Sequence, residues 1–183
     1  AKALIANVEA RRKEFVEVTM SRRRDLLPAI YAELRPFTSQ LDFDGALKRL
    51  GELGKEERFA PHRPMVENER TRLSAVSALY GEIVAEVKRI PKGEKIALPF
   101  RDGREVTGTF VDLDERGMVR VKEGVVAKGY PLQQVSGEWL IRRLPSGRRD
   151  SLASADFLLA IGESEKAGMV AIESAMDPSA LGT

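Results

Sequence analysis

Two periods in the spacing of apolar residues divide the chain into helical and strand-forming parts. From Lys2 to about Leu34, apolar residues recur at steps of three and four, which predicts a long helix. Pro28 lacks a backbone donor, so we expect it to kink this helix or to begin a second segment. We expect Pro36 to end it, because the residue before a proline avoids helical geometry.

A short second helix is predicted to begin at Asp42, whose carboxylate can accept from the free amides of the first helical turn. Gly54 supplies the stop. One side of this helix is apolar, and its residues are Phe43, Ala46, Leu47, Leu50 and Leu53.

A third helical run follows a loop that contains Pro61 and Pro64. Its apolar residues alternate steps of three and four, and they are Leu73, Val76, Tyr80, Ile83, Val87 and Ile90. This is the spacing of a helix that packs along a partner. We interpret it as packing within one antiparallel bundle, with the first helix as partner. A free dimerisation helix is the weaker interpretation because the seam lasts under three heptads.

At Pro91-Lys92-Gly93 the period changes from that of helices to that of strands, and we place a boundary there. The alternation predicts four strands, and they are Lys95–Phe100, Glu105–Leu113, Met118–Lys122 and Val125–Leu132. Tight turns are expected at Asp102-Gly103 and Arg116-Gly117.

The strands are too short and too few to enclose a core as an open sandwich. We therefore predict a small barrel of four to five strands. Gly108 lies inside the longest strand, and we expect a bulge or a sharp bend there. The residues expected at the structural centre of the barrel are Ile96, Leu98, Val106, Phe110, Val119, Val121 and Leu132.

The last part of the chain is helical again. Ser136 is expected to cap a short helix that Pro145-Ser146-Gly147 ends. Two further helices, Leu152–Ile161 and Glu165–Met176, are joined by a turn at Gly162–Ser164. Such a short pair cannot bury its apolar face alone, so we expect it to pack on the barrel, the bundle or a missing neighbour.

These patterns together predict an α+β fold in three parts. A helical bundle occupies residues 1–90, a small β-barrel residues 91–135, and C-terminal helices packed on the rest residues 136–183.

One segment resembles a known family. Arg101-Asp102-Gly103-Arg104-Glu105-Val106-Thr107-Gly108-Thr109-Phe110-Val111-Asp112-Leu113-Asp114 is similar to the first Sm motif, with a turn glycine, a second glycine that bends the strand and a closing aspartate. The resemblance implies a bent five-stranded barrel. Sm proteins bind uridine-rich RNA through a loop asparagine after that aspartate and an Arg-Gly step in the second motif.

The RNA-binding residues of the Sm family have no counterpart here. Glu115, Arg116 and Gly117 follow Asp114, and the later strand continues as Tyr130-Pro131-Leu132-Gln133. The resemblance therefore extends to the fold and not to the RNA site.

The order of parts carries a second resemblance. Helices with an Asp42-Phe43-Asp44-Gly45-Ala46-Leu47 segment, then a small barrel and a helical pair, resemble the non-catalytic regions that follow some bacterial serine/threonine kinase domains. No kinase motif is present, since the chain has no Gly-rich loop, His-Arg-Asp or Asp-Phe-Gly. The resemblance implies an accessory segment of a larger bacterial signalling protein.

Composition argues against an enzyme. The chain has no cysteine and one histidine, His62, so it lacks thiol nucleophiles, disulfides and the ligands of a histidine-rich metal site. We therefore expect no cofactor and no metal. Hydrophobic residues make up 43% of the chain and charged residues 32%, which indicates a globular protein. No apolar stretch is long enough to span a bilayer.

The acidic residues Asp112, Asp114 and Glu115 cluster at one strand end. We interpret them as solvated turn residues. An enzyme or metal site that uses them stays open as the weaker hypothesis.

Thirty basic and 28 acidic residues leave a net charge of +2, so attraction of phosphate depends on local patches. Basic runs occur at Arg11-Arg12-Lys13 and Arg22-Arg23-Arg24. A third group, with Trp139 as a stacking surface, forms the candidate nucleic-acid contact and consists of Trp139, Arg142, Arg143, Arg148 and Arg149. Solvated faces or ion pairs are the favoured interpretation.

We therefore expect a non-catalytic protein interaction or scaffolding module whose partner is another protein or another domain of the same polypeptide. The alternative is an Sm-like barrel that binds single-stranded RNA through the basic groups. The chain begins at Ala1 and not at Met, as expected for a processed protein or an excised segment. We expect a cytoplasmic location.

Overall fold

The computed structural model describes residues 26–149 and 152–176, with side chains described up to residue 171. The basic runs Arg11-Arg12-Lys13 and Arg22-Arg23-Arg24, and most of the predicted first helix, lie outside the described residues. The described α-helices are α1 (26–38), α2 (Phe43–Leu53), α3 (Arg63–Lys88), α4 (Gly137–Ile141), α5 (Ser146–Arg149), α6 (Leu152–Ala160) and α7 (Ser164–Met176).

The described part of the first helix passes through Pro36 and ends at Thr38, so the expected stop at Pro36 is wrong. Pro36 has no backbone N–H to donate to the carbonyl of Ala32, but the helix continues for two residues beyond it. Ile30 and Leu34 of α1 are buried in the core.

The cap of α2 is as expected. The Asp42 carboxylate accepts a hydrogen bond of 2.9 Å from the backbone N–H of Gly45. Gly54 is the C-cap and keeps right-handed helical geometry. The buried side of α2 consists of Phe43, Ala46, Leu50 and Leu53, which confirms the predicted apolar face.

The helix α3 is longer than its apolar seam indicates. A 3-10 helix at Glu57–His62 leads into it, and α3 begins at Arg63 with Pro64 in its first turn. A proline fits there because the first-turn amides have no helical acceptor. The buried face of α3 consists of Val66, Glu69, Leu73, Val76, Leu79, Ile83 and Val87.

The predicted partner of α3 was the first helix, and the structure adds two others. Tyr31 of α1 lies next to Arg72 of α3, with the guanidinium 5.6 Å from the ring centroid. The helices α2 and α6 also pack against α3. The seam is therefore covered within the chain, which favours the bundle over a free dimerisation helix.

Four antiparallel strands follow α3, and they are β1 (Lys95–Pro99), β2 (Glu105–Leu113), β3 (Met118–Glu123) and β4 (Val126–Pro131). They pair in the order β1-β2-β3-β4, so each neighbour in sequence is a neighbour in the sheet. Gly103 and Gly117 adopt φ values of +84° and +72°, which explains the glycines at the two predicted turns.

We expected a bulge or a sharp bend at Gly108, but the bulge in β2 lies between Phe110 and Asp112. Gly108 is required by close packing instead. A Cβ atom at this position would lie 2.5 Å from Val121 Cγ1 and 2.7 Å from the carbonyl oxygen of Lys122 on β3. A glycine inside a strand can mark such a close approach as well as a bulge.

The fold is α+β, with helices before and after an open four-stranded sheet along the chain. Beyond β4, a 3-10 turn leads to Val135, which forms an isolated bridge with Phe100 next to the end of β1. Six of the seven residues expected at the centre of the sheet are buried, and Val106 is half-buried against them.

The C-terminal helices confirm the predicted pair and correct the segment before it. The segment Pro145-Ser146-Gly147 follows the short helix, but α5 begins at Ser146, so a further helix starts where only an end was expected. The pair α6–α7 is partly covered, since α6 packs against α3 and α4.

Buried residues from all three predicted parts belong to one hydrophobic cluster, for example Leu50, Val121 and Phe157. The domain boundaries themselves stay a prediction.

Candidate functional site

The predicted nucleic-acid contact lies on α4 and α5, where Trp139 turns out to be covered. Its side chain is buried, with 6% exposure, and the guanidinium of Arg143 lies 4.2 Å from its ring centroid. Its indole N–H has no hydrogen-bond partner among the described residues. The face that could stack on a base is therefore occupied by an arginine of the same chain.

The four predicted arginines have different surroundings. Arg142 pairs with Glu138 one turn earlier, and Arg148 reaches Glu82 of α3 at 2.6 Å. The Nε atom of Arg149 donates to the carbonyl oxygen of Leu144 at 2.6 Å. These contacts agree with the interpretation of the basic group as solvated faces and ion pairs.

Arg143 and Arg149 form no ion pair with any described residue. Burial lowers the pKa of Arg143, Glu94 opposes this effect, and the positive charge of Arg149 adds to the lowering. Neither guanidinium is therefore neutralised by an ion pair within the described part of the chain.

An open groove of about 780 Å³, hereafter the basic groove, lies between α4–α5 and α6–α7. It brings Arg142 and Arg149 together with Lys166, which the sequence analysis did not single out. Its lining residues are Glu138, Ile141, Arg142, Ser146, Arg149, Leu158, Lys166, Met169 and Val170. A second cavity of about 300 Å³ shares Glu138, Arg142 and Lys166 and continues to Arg104 beside β1.

A polar junction beneath the basic groove fixes the position of its walls. The Glu163 carboxylate accepts from the N–H of Gly137 at 2.7 Å, and Lys166 lies 2.9 Å from the other carboxylate oxygen. Lys166 also donates to the Ser136 hydroxyl at 3.1 Å. Ser136 is the N-cap residue of α4, as expected, but its side chain makes no capping hydrogen bond and accepts from Lys166 instead. The Glu163 carboxylate accepts from the first amide of α4, that of Gly137.

The same junction reaches the sheet through Arg101, whose Nε lies 3.7 Å from Glu163. Arg101 also donates to the carbonyl oxygens of Val135 and Ile161. Burial lowers the pKa of Arg101, and the charge of Glu163 opposes this effect. The junction thus ties the sheet to α4 and α7.

A second cleft of about 290 Å³, hereafter the Tyr31 cleft, lies between α1, α3 and the turn after α6. Arg72 is one of its lining residues and donates from Nε to both carboxylate oxygens of Glu69 at 3.0 Å. Its Nη1 atom donates to Asp156 of α6 at 2.9 Å. Glu69 is 5% exposed, so its charge is compensated inside the fold.

Burial and the charges of the Tyr31 cleft raise the pKa of two of its residues. Burial and the neighbouring Glu69 charge raise the pKa of Tyr31, and Arg72 partly opposes them. Burial alone would lower the pKa of Arg72. Its hydrogen bonds and charge interaction with Glu69 outweigh this effect, so the pKa is raised above its usual value. The guanidinium therefore stays charged and the phenol stays neutral at physiological pH.

The acidic residues at the end of β2 and the single histidine of the chain lie in structural positions. Asp112 pairs with Arg120 through both carboxylate oxygens, and Asp114 accepts from the backbone N–H groups of Arg116 and Met118 at 2.9 Å. His62 is the half-buried N-cap residue of α3. Among the described residues, no three histidine, aspartate or glutamate side chains are placed to hold a metal ion.

The large apolar side chains that are exposed in the described part of the chain occur in few places. Leu152, Leu159 and Met169 lie on α6–α7, with exposures of 66%, 45% and 58%. Leu159 lines the Tyr31 cleft and Met169 lines the basic groove. Both cavities are therefore bordered by apolar residues of the same helix pair.

No family model, curated protein or solved structure matches this chain. Among the described helices, none has the length and apolar character that a membrane crossing needs.

Proposed function

We propose that this chain is a non-catalytic protein interaction or scaffolding module, and an accessory segment of a larger bacterial signalling protein. The observation that carries the proposal is the apolar exposure of α6–α7. Leu159 and Met169 are both exposed, and each borders a different cavity. Apolar side chains that border a polar-rimmed cleft are typical of surfaces that bind another protein.

The helix pair is suited to this role because its sequence is more apolar than its burial requires. In α6, Leu152 and Leu159 remain exposed while Phe157 and Leu158 fill the core. A helix that is apolar on all sides is usually covered on all sides. A partner protein, or another domain of the same polypeptide, would supply the missing cover.

We also propose that the sheet curls into the small Sm-like barrel that the sequence analysis predicted. Beside the bridge between Phe100 and Val135, the N–H of Arg101 donates to Gln134 and the N–H of Ser136 donates to Pro99, each at 2.9 Å. These bonds bring the chain after β4 back to the end of β1. Slow hydrogen exchange at the amides of Arg101 and Ser136 would support closure.

Binding of single-stranded RNA is the second candidate. The approach of Arg142, Arg149 and Lys166 in one groove favours it, since each can neutralise a phosphate. The covered face of Trp139 counts against it, because such binding relies on stacking with aromatic rings.

Site-specific cross-linking tests the proposal. A photoreactive amino acid would replace Leu159 or Met169, one at a time, in cells that make the full-length protein. The matched control position is Asn68, an exposed polar residue of α3. We expect a reproducible protein adduct from Leu159 or Met169 and none from Asn68.

Two other results would count against the interaction module. RNA adducts from the Met169 position, without protein adducts, would favour the second candidate. If neither position gives an adduct above the level of Asn68, the proposed function is wrong.

A further inference from the structure

We propose that the basic groove binds an acidic, amphipathic peptide segment of the protein partner. This inference rests on the proposed function and specifies the chemistry of the partner at one surface. It follows from the apolar lining of the groove, from the charges at its rim and from the absence of aromatic rings among its described lining residues.

The lining of the basic groove can receive apolar anchor side chains. Met169 is exposed and Val170 is half-buried, while Ile141 and Leu158 are buried beneath them. Methionine is flexible and polarizable, so it adapts to side chains of different shape. A helical peptide places its anchors three and four residues apart along such a groove.

The charge at the rim selects for carboxylates. Among the described lining residues, Arg142, Arg149 and Lys166 are positive and Glu138 is negative. Arg142 pairs with Glu138 and Lys166 with Glu163, so Arg149 adds a positive charge that these pairs do not balance. Arg149 has no ion pair within the described part of the chain, so its guanidinium can receive a carboxylate of the partner. Arginine binds carboxylates strongly because two of its N–H groups can donate in parallel.

The walls are already held in place before any partner binds. Glu163 joins the start of α4 to α7, and Lys166 joins the same carboxylate to Ser136. A preorganised site loses less entropy on binding than one that must form around its ligand. The groove is therefore expected to bind without a large rearrangement.

A peptide explains the groove better than RNA does. Its described lining residues contain no aromatic side chain, and Trp139 in the adjoining cavity is covered by Arg143. Single-stranded nucleic acid needs stacking surfaces as well as positive charge. An apolar lining with a basic rim matches acidic side chains around apolar anchors instead.

Fluorescence anisotropy with the full 183-residue chain tests the inference. The probe is a labelled synthetic peptide of about 15 residues with Leu or Phe at helical anchor positions and Glu at the others. The matched control peptide keeps the anchors and replaces each Glu with Lys. We expect the acidic peptide to bind at least about tenfold more tightly, and its affinity to fall as salt is added.

A first variant pair tests the apolar lining. Met169→Glu should weaken binding of the acidic peptide at least about tenfold, because an anchor contact is lost and a repulsive charge is added. Val125→Glu is the matched control, since Val125 is 91% exposed in the turn between β3 and β4 and lines neither groove cavity. It should leave binding unchanged.

A second variant pair tests the charge. Arg149→Glu should weaken binding of the acidic peptide about tenfold or more and strengthen binding of the Lys-containing peptide. Arg116→Glu makes the same charge change at an exposed turn of the sheet and should have little effect.

Removal of the negative charge of Glu138 distinguishes an effect on binding from an effect on folding. Glu138→Gln should tighten binding of the acidic peptide by about two- to fivefold, because a repulsive carboxylate is lost and Arg142 is released. A variant that merely disturbs the fold would weaken binding and would not produce this gain.

Three results would overturn the inference. The first is equal or absent binding of the two peptides. The second is binding of a labelled uridine-rich RNA that Arg149→Glu abolishes, without binding of the acidic peptide. The third is self-association of the wild-type chain that Met169→Glu abolishes, since a second copy would then occupy the groove. If the peptides fail while cross-linking still gives protein adducts, the inference is wrong and the proposed function stands.

Discussion

The Tyr31 cleft and the basic groove both lie against the C-terminal helix pair, but their charged residues differ in burial and in ion pairing. In the cleft, Arg72 is surrounded by Glu69 and Asp156, and this contact joins α3 to α6. In the groove, Arg149 stands at an exposed rim without an ion pair to a described residue, and Arg142 forms only an exposed pair with Glu138. A buried charge must have a partner, so it becomes part of the scaffold, whereas an exposed one stays available for a ligand.

The largest expected effect comes from the removal of the central charge of the Tyr31 cleft. Arg72→Ala leaves the buried carboxylate of Glu69 without its partner, which should lower the free energy of unfolding by about 3 kcal/mol or more. Urea denaturation measures this change.

Arg70→Ala is the matched control for that change. Arg70 lies on the same helix and pairs with Glu67 at 3.5 Å, but both side chains are exposed. Its loss should change the free energy of unfolding by less than about 1 kcal/mol. Equal effects of the two substitutions would show that the ion pairs of Arg72 stabilise the fold no more than an exposed pair does.

A smaller effect is expected at the start of α4, which lines the basic groove. A Cβ atom at Gly137 would lie 2.6 Å from Ile161 Cδ1 and 2.7 Å from Leu158 Cδ2. Gly137→Ala should therefore lower the free energy of unfolding by about 1 kcal/mol, because these buried methyl groups can move only partly. Thermal denaturation measures it. Gly147→Ala in α5 meets no atom within 4 Å and should not destabilise the protein.

The stability of the protein should also depend on alkaline pH through Tyr31. Burial and Glu69 raise the pKa of Tyr31, so the folded chain holds this proton more tightly than the unfolded chain. The resulting stabilisation is complete below about pH 10 and is lost as the pH rises through the folded-state pKa. Urea denaturation between about pH 8 and about pH 11 measures this loss. Tyr31→Phe should lose less stability across that range than the wild type, and equal losses would contradict the assignment.

The smallest effect on stability is expected at the rim of the basic groove. Arg142 and Glu138 form an exposed pair one helical turn apart, and such pairs contribute less than about 0.5 kcal/mol. Arg142→Ala should leave the urea midpoint nearly unchanged. A loss comparable to that of Arg72→Ala would mean that the groove is as much a part of the scaffold as the cleft.

The strands were predictable almost residue by residue. The strand β2 spans Glu105–Leu113 as expected, because alternation and turn glycines are signals within a short window. Gly108 marks the limit of such signals. Its sequence position cannot distinguish a bulge from a close approach of β3, since the latter depends on the neighbouring strand.

The basic groove was predictable in part. Arg142 and Arg149 belong to a basic group that their clustering in the sequence singles out. Lys166 and Met169 come from α7, and nothing near them in the sequence connects them with α4. The interpretation of Trp139 as a stacking surface depended on its being exposed, and the fold places Arg143 over it.

The Tyr31 cleft was not predictable, because Arg72 and Asp156 are 84 residues apart in the chain. One clue was present. Glu69 lies on the same face of α3 as Val66 and Leu73, and a charged residue on an apolar seam indicates a buried partner. The identity of that partner depends on the packing of α6.

The amino-acid sequence by itself determined most of the described helices, the four strands, most of their ends and the α+β class, because these depend on periodicity, capping and turn residues within a few positions of each other. Only the tertiary structure decided which charges are neutralised inside the fold and which remain at a groove. The physical reason is that burial and charge compensation depend on which helices pack together, and residues distant in the chain make those contacts.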